Sequence, residues 1–194
     1  MSYVHPATNR YFGRVQRYIL ADGERFATVI DDVGAPAYYP TALALSRRSH
    51  GHSSETMGAE AADLVHLGLW ALRERIDLNA RLEAGAYFDL VEIETLAEAC
   101  GLKTEALRRI TSPAVTEMRS GLTMTKADIV SNALKSRRLS TAARYFDFVG
   151  RMSKAHLPKR SLELAEHISA RKDRRWSSAI RSCSDGGVHR PHHY

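Results

Sequence analysis

Two cysteines, Cys100 and Cys183, are all that the 194 residues contain. That is too few for a disulfide framework, so free thiols and a cytoplasmic setting are expected. No apolar run approaches the ~18–20 residues of a membrane span, and Met1–Arg10 has no signal-peptide core, so no membrane partner is expected. P-loop, G-x-G-x-x-G, G-x-S-x-G and H-E-x-x-H patterns are all missing, which removes the common nucleotide-binding, hydrolase and zinc-protease chemistries. Nine histidines invite a metal reading. His189, His192 and His193 lie near Cys183, but no second paired ligand stands at zinc-site spacing, so no metal, cofactor or small-molecule ligand is expected.

The composition points to a packed domain: 44% hydrophobic and 26% charged residues. Its charge is unevenly placed. Residues 1–100 hold 9 Lys and Arg against 14 Asp and Glu, whereas residues 101–194 hold 19 against 8, giving +6 in total. A basic half of that strength suits a polyanionic partner.

Read along the chain, the first 45 residues look extended. Tyr18–Leu20 and Arg25–Ile30 flank Asp22-Gly23, the tip of a small β-hairpin, and Asp31–Gly34 makes a second turn. Two strands are not stable alone, so they must lean on the segments C-terminal to them. From Ser53 the apolar period becomes helical. Ser53 or Ser54 caps a helix bearing Met57, Ala61, Leu64, Val65, Gly68, Leu69 and Leu72 on one face, and Ile76–Asn79 ends it. A second helix is predicted over Leu90–Ala99, opened by Asp89 and closed by Gly101. A third covers Lys103–Ile110, and Thr125 caps a further one through Val130.

Ser136–Lys154 carries the clearest helical pattern. Leu139, Ala142, Ala143, Phe146, Val149 and Gly150 share a face, while Arg137, Arg144 and Arg151 recur every seven residues on the opposite side. Asp147 is the only acid between Lys135 and Lys154. Lys135, Arg137, Arg138, Arg144, Arg151 and Lys154 are therefore candidate phosphate contacts, the plain alternative being a solvated face. His50 and His52 sit in a loop beside Arg47 and Arg48, where backbone-phosphate contact is conceivable. His66 is expected to pack beside its helix's apolar stripe, and Cys100 to be a buried small residue, not a nucleophile. Ser161–Arg175 reads as a last helix and Ser182–Tyr194 as poorly ordered.

The order of these pieces resembles a known family. Gly23–Phe26, Val29–Asp32, Gly34-Ala35-Pro36 and Tyr39-Pro40 precede Arg47-Arg48, Gly51–Thr56 and Leu69–Leu72. Ile76–Leu78, Arg81-Leu82, Glu83–Gly85, Leu90–Leu96 and Arg137–Phe148 come after them. Over about residues 20–155 the chain is similar to the N-terminal part of a tyrosine recombinase, the phage-integrase class of DNA breaking and rejoining enzymes, in its transposon or genomic-island branch. The resemblance implies a mainly α fold: a helical, SAM-like core-binding domain after a small β-rich N-terminal segment. The domain reading is then residues 1–48 as the β-rich segment and 49–176 as the DNA-binding domain, with 177–194, rich in Ser, Gly and His, as a disordered tail. Such a domain forms half of a C-shaped clamp on recombination-site duplex. Ser54 and Thr56 would open its first long helix, and Arg137, Arg138, Arg144 and Arg151 would lie on a later DNA-contacting one. Double-stranded DNA and other recombinase protomers are the implied partners, in a bacterial nucleoid.

The family's catalytic signature, an Arg, then H-x-x-R, then a C-terminal Tyr, is not matched. His156-Leu157-Pro158-Lys159 is the nearest approach, and Tyr194 has no catalytic fold around it. No strand cleavage by this chain is expected; it reads as stopping where catalysis would begin. The competing reading is a non-enzymatic helical adaptor, or a truncated regulator, binding an acidic protein or RNA.

Overall fold

The computed structural model describes residues 12–86, 88–111 and 125–154. The expected last helix, the tail, His156–Lys159 and Tyr194 lie outside them. Two antiparallel strands, β1 (Phe12–Ile19) and β2 (Arg25–Asp31), lead into six α-helices: α1 (Tyr38–Ser49), α2 (Ser54–Glu74), α3 (Leu78–Glu83), α4 (Leu90–Cys100), α5 (Thr104–Thr111) and α6 (Asn132–Lys154). The described chain is thus mainly helical with a small N-terminal sheet.

The hairpin turns where Asp22-Gly23 suggested. Gly23 takes φ 81°, the Asp22 carboxylate accepts the Glu24 amide at 2.9 Å, and the Leu20 amide donates to the Glu24 carbonyl at 2.8 Å. A register shift between Phe12 and Arg14 falls at Gly13, where a Cβ would lie 2.8 Å from the Asp31 carbonyl oxygen. β2 is buried at every position from Phe26 to Asp31 because α2 and α1 pack against it as well as β1. The sheet therefore shares the helices' core.

A helix stands where extended chain was expected. Pro40 is the third residue of α1, within the first turn, where an amide hydrogen has no intrahelical acceptor to lose. Read as a strand breaker, it concealed the helix. Pairs of tyrosines and prolines look like turn chemistry until Leu43 and Ala44 are seen to pack inward.

α2 is the spine. Ser53 caps it, accepting the Thr56 amide at 3.2 Å, and twelve of its residues are buried. It touches both strands, α1, α4, α5 and α6, so it is enclosed on almost every side. It stops at Glu74, where Arg75 adopts the left-handed conformation (φ 58°) and the Ile76 amide reaches back to the Ala71 carbonyl at 2.8 Å. Asp77 then caps the short α3, accepting the Ala80 amide at 3.0 Å, and Leu78 and Leu82 turn inward. The four residues expected only to end α2 thus also start a helix.

Asp89 and Glu92 form a reciprocal capping box at the start of α4, and Gly101 stands just past its end in an ordinary right-handed conformation. Thr125 caps only a single 3₁₀ turn, Lys126–Asp128, whose carbonyl at Asp128 accepts the Lys103 amide at 2.7 Å. Around α2 the core closes with aromatic rings. Trp70 lies 5.7 Å from Phe88, Phe88 4.9 Å from Phe146, and Phe12 meets Tyr145 edge-on at 5.8 Å. Their polar atoms find partners: the Trp70 indole donates to Thr95 at 3.1 Å, and the Tyr145 hydroxyl to Asn79 at 3.3 Å.

β1 reaches α2 at two glycines with opposite consequences. At Gly68 a Cβ would meet Phe12 Cβ at 2.7 Å, whereas at Gly58 its nearest neighbour is the Arg17 guanidinium at 3.2 Å, the movable end of a long side chain. Gly68→Ala should cost about 1–3 kcal/mol despite its gain in helix propensity. Gly58→Ala should be neutral, or stabilising by up to ~1 kcal/mol. Urea midpoints for the two variants, at unchanged m-value, check the contrast.

Candidate nucleic-acid interface

A helix enclosed like α2 pairs whatever polar side chains it turns inward, because an unpaired buried charge costs several kcal/mol. Glu60, Asp63 and His66, three residues apart, are buried on the side where α6 crosses. α6 answers with Arg137, Arg138, Thr141 and Arg144.

Asp63, 2% exposed, holds the centre. Arg137 grips it with both edges of a fork, Nε to Oδ2 at 3.0 Å and Nη2 to Oδ1 at 2.9 Å, and Thr141 Oγ1 donates to Oδ2 at 3.2 Å. Glu60, 10% exposed, joins three helices. Arg47 of α1 donates Nε and Nη2 to it at 3.1 and 2.6 Å, and Arg144 of α6 brings Nη2 within 3.1 Å of the same Oε1. Arg144 Nη2 also donates to Thr141 at 3.1 Å. Four guanidinium groups (Arg47, Arg137, Arg138, Arg144) thus face two carboxylates, leaving the seam with two surplus positive charges.

Arg138, expected as a phosphate contact, is buried. Its Nη1 donates to the carbonyls of Cys100 and Leu102 at 3.1 and 2.5 Å, and its Nη2 to Thr104 Oγ1 at 3.2 Å. It therefore satisfies the carbonyls at the end of α4, where a cation also suits the helix dipole. His66 finishes the same job. Its Nε2 donates to the Ala99 carbonyl at 2.7 Å, since a carbonyl can only accept. The Thr104 hydroxyl, already accepting from Arg138, is then free to donate to His66 Nδ1 at 3.2 Å. Burial, reinforced by the Arg138 charge, pulls the imidazole down to about 4, so it is neutral at pH 7. Cys100 beside it is buried, and burial pushes its thiol up to about 12, which suits a core residue and not a nucleophile.

The remaining candidates divide by geometry. Arg48 ties α1 to the hairpin tip, donating to Glu24 at 2.8 and 2.5 Å and reaching Asp22 at 3.3 Å. Arg47 is likewise engaged internally. Ser54 is half-buried in the first turn of α2, and exposed Thr56 shares its hydroxyl with the cap, 3.0 Å from Ser53 Oγ. His50 closes α1, its Nδ1 donating to the Ser46 carbonyl at 2.6 Å. Lys135 is half-buried near Gly101; Lys154 ends α6, its side chain outside the described residues.

The stripe is not opposite the core. Seven residues fall ~20° short of two full turns, so Arg137, Arg144 and Arg151 drift outward along α6. Arg137 and Arg144 sit at the shoulder beside buried Thr141, close enough to reach α2. Arg151 stands clear and, among the described residues, pairs only with Asp147 of its own helix, at 2.7 Å. Their side chains are 51%, 46% and 71% exposed. Sequence reading missed Glu60 and Asp63 as organisers of this stripe. The available signal was two acids among the apolar residues of an otherwise buried helix.

Among the described residues no group of His, Cys, Asp and Glu could hold a metal ion, and no helix is long and apolar enough to cross a membrane. No family model, curated protein or solved structure matches the chain.

Asp63→Ala should destabilise the fold by about 3–5 kcal/mol, as expected when one partner leaves a buried ion pair and strands the others. Chemical denaturation reads this directly. His66 gives a pH signature. Its folded value lies below the ordinary 6.5, so the unfolded chain binds a proton first as pH falls. The wild type should lose roughly 2–3 kcal/mol on going from pH 6.5 to 4, with only about 0.4 kcal/mol more from this group below 4. His66→Gln should flatten that limb of the stability profile.

Proposed function

We propose that this chain binds duplex DNA through backbone phosphates, along the outer edge of α6 and the N-terminal turn of α2. It does so as the SAM-like core-binding region of a tyrosine recombinase. The observation that carries the reading is the row of Arg137, Arg144 and Arg151, each about half exposed or more. At 1.5 Å per residue they stand ~10.5 Å apart and together span ~21 Å, about six steps of a DNA strand at 3.4 Å each. The N-terminal turn of α2 is taken as a second contact: Ser54 and Thr56 stand ~9 and ~6 Å along the helix from Glu60, and free amides there suit an anion.

Arg47, Arg48 and Arg138 contribute differently from the exposed row: they hold the fold that presents it. The chemistry assigned is therefore grip without strand cleavage. Recognition is dominated by charge, affinity falls steeply with salt, and other protomers on the same site would supply cooperativity. An RNA-binding or acidic-protein adaptor would use the same arginines but show no preference for a duplex.

Arg151 is the cleanest probe, because among the described residues its only ion pair is local and exposed. Fluorescence anisotropy with a labelled 30-base-pair duplex at two salt concentrations should show salt-sensitive binding. Arg151→Glu should weaken it roughly three- to tenfold on every sequence and lower the salt slope by about 1. Unchanged binding by the folded variant removes α6 from the interface, and equal binding to single-stranded RNA favours the adaptor.

A further inference from the structure

Glu60 touches two arginines from two different helices, and its surroundings give it a role beyond holding α1 to α6. Arg47 occupies both of its oxygens, at 3.1 and 2.6 Å. That bidentate pair is nearly closed to solvent, with Glu60 10% and Arg47 25% exposed. The carboxylate charge is therefore neutralised before Arg144 arrives. Arg144 adds a single contact, Nη2 at 3.1 Å, and braces the same nitrogen on Thr141. Among the described residues its Nε and Nη1 have no partner, and nearly half of its side chain is open. Asp63 treats Arg137 similarly, taking Nε and Nη2 and leaving Nη1.

We infer that Glu60 is a positioning residue for phosphate recognition: with Arg47 as its counter-ion, it fixes Arg144 by one nitrogen so that the other donors are pre-aimed at a DNA phosphate. This rests on the DNA-binding reading. It assigns Arg47 to quenching Glu60 and not to touching DNA, and it makes the apparent obstacle, an acid inside a basic interface, part of the grip. Fixing a long, rotamer-rich side chain in advance removes an ordering cost worth roughly two- to tenfold in affinity per arginine. If instead Glu60 merely competed with phosphate, removing its charge would tighten binding.

The two mechanisms have opposite signs, which makes the test direct. Anisotropy titrations of the 30-base-pair duplex compare wild type, Glu60→Gln and Glu94→Gln, the last removing an exposed carboxylate on α4 as a pure charge control. Positioning predicts Glu60→Gln weaker by roughly three- to tenfold with a flatter salt slope, although the protein has gained a positive charge, while Glu94→Gln binds the same or slightly tighter. Arg47→Ala, which leaves the Glu60 charge unquenched beside Arg144, should weaken binding as well. In an Arg144→Ala background Glu60→Gln should no longer weaken it, whereas a general loss of structure would act in both backgrounds. Far-UV circular dichroism and the melting temperature of each variant identify unfolding. Glu60→Asp, which keeps the charge but shortens the reach, should behave like Glu60→Gln and supplies the same information if the amide misfolds.

A Glu60→Gln protein that is folded and binds as tightly as Glu94→Gln overturns the positioning role while leaving the DNA reading intact. A wild type that binds no duplex at low salt overturns both.

Discussion

Everything in the helical half hangs on one buried carboxylate. Asp63 faces α6 from the middle of the most enclosed helix, and there it needs Arg137, Thr141 and the nearby Arg138 to be tolerable at all. That requirement sets how α6 lies on α2. It fixes which residue of α6 stands opposite Asp63, and hence how Tyr145, Phe146 and Val149 meet the apolar side of the core. A wholly apolar interface could slide by a turn; a forked arginine on a buried acid cannot.

Polar specificity and basic surface come from the same side chains. α6 needs arginines to answer Asp63 and Glu60, and it needs them to project from the domain. The drift of a seven-residue repeat on a 3.6-residue helix reconciles the two demands. Arg137 is anchored by a fork, Arg144 by one nitrogen, and Arg151 by Asp147 of its own helix. One repeated residue type thus serves as an internal anchor at Arg137 and as a solvent-facing charge at Arg151, two repeats on. Arg138, one position away, goes fully inward and stitches the end of α4.

How much of this could be read in the chain depends on the range of the forces involved. Features governed by near neighbours were legible: the Asp22-Gly23 turn, the Ser53 and Asp89 caps, and the limits of α2, α4 and α5 to within a residue or so. α1 and α3 were not. Pro40 and Asp77 act locally in two ways each, and only burial of Leu43, Leu78 and Leu82 decides which. The stripe on α6 was visible as a period, but its partners were not, because a pairing over 74 residues leaves no periodic trace. Arg138 shows the limit most sharply. Nothing in Ser136–Ser140 distinguishes it from Arg137, yet 100° of helix rotation separates a core clamp from a surface charge.

The lengths of these pairings also bear on how the chain is made. Asp63 leaves the ribosome 74 residues before the arginine that neutralises it, and Phe12 precedes its edge-on partner Tyr145 by most of the described sequence. At ~5–20 residues per second, α2 spends roughly 4–15 s with an acid on its future interface and nothing to pair it. During that interval Asp63 is without Arg137 and Arg138, and a lone carboxylate resists burial in an apolar interior. The final packing of that face of the spine therefore waits for α6, the last described helix.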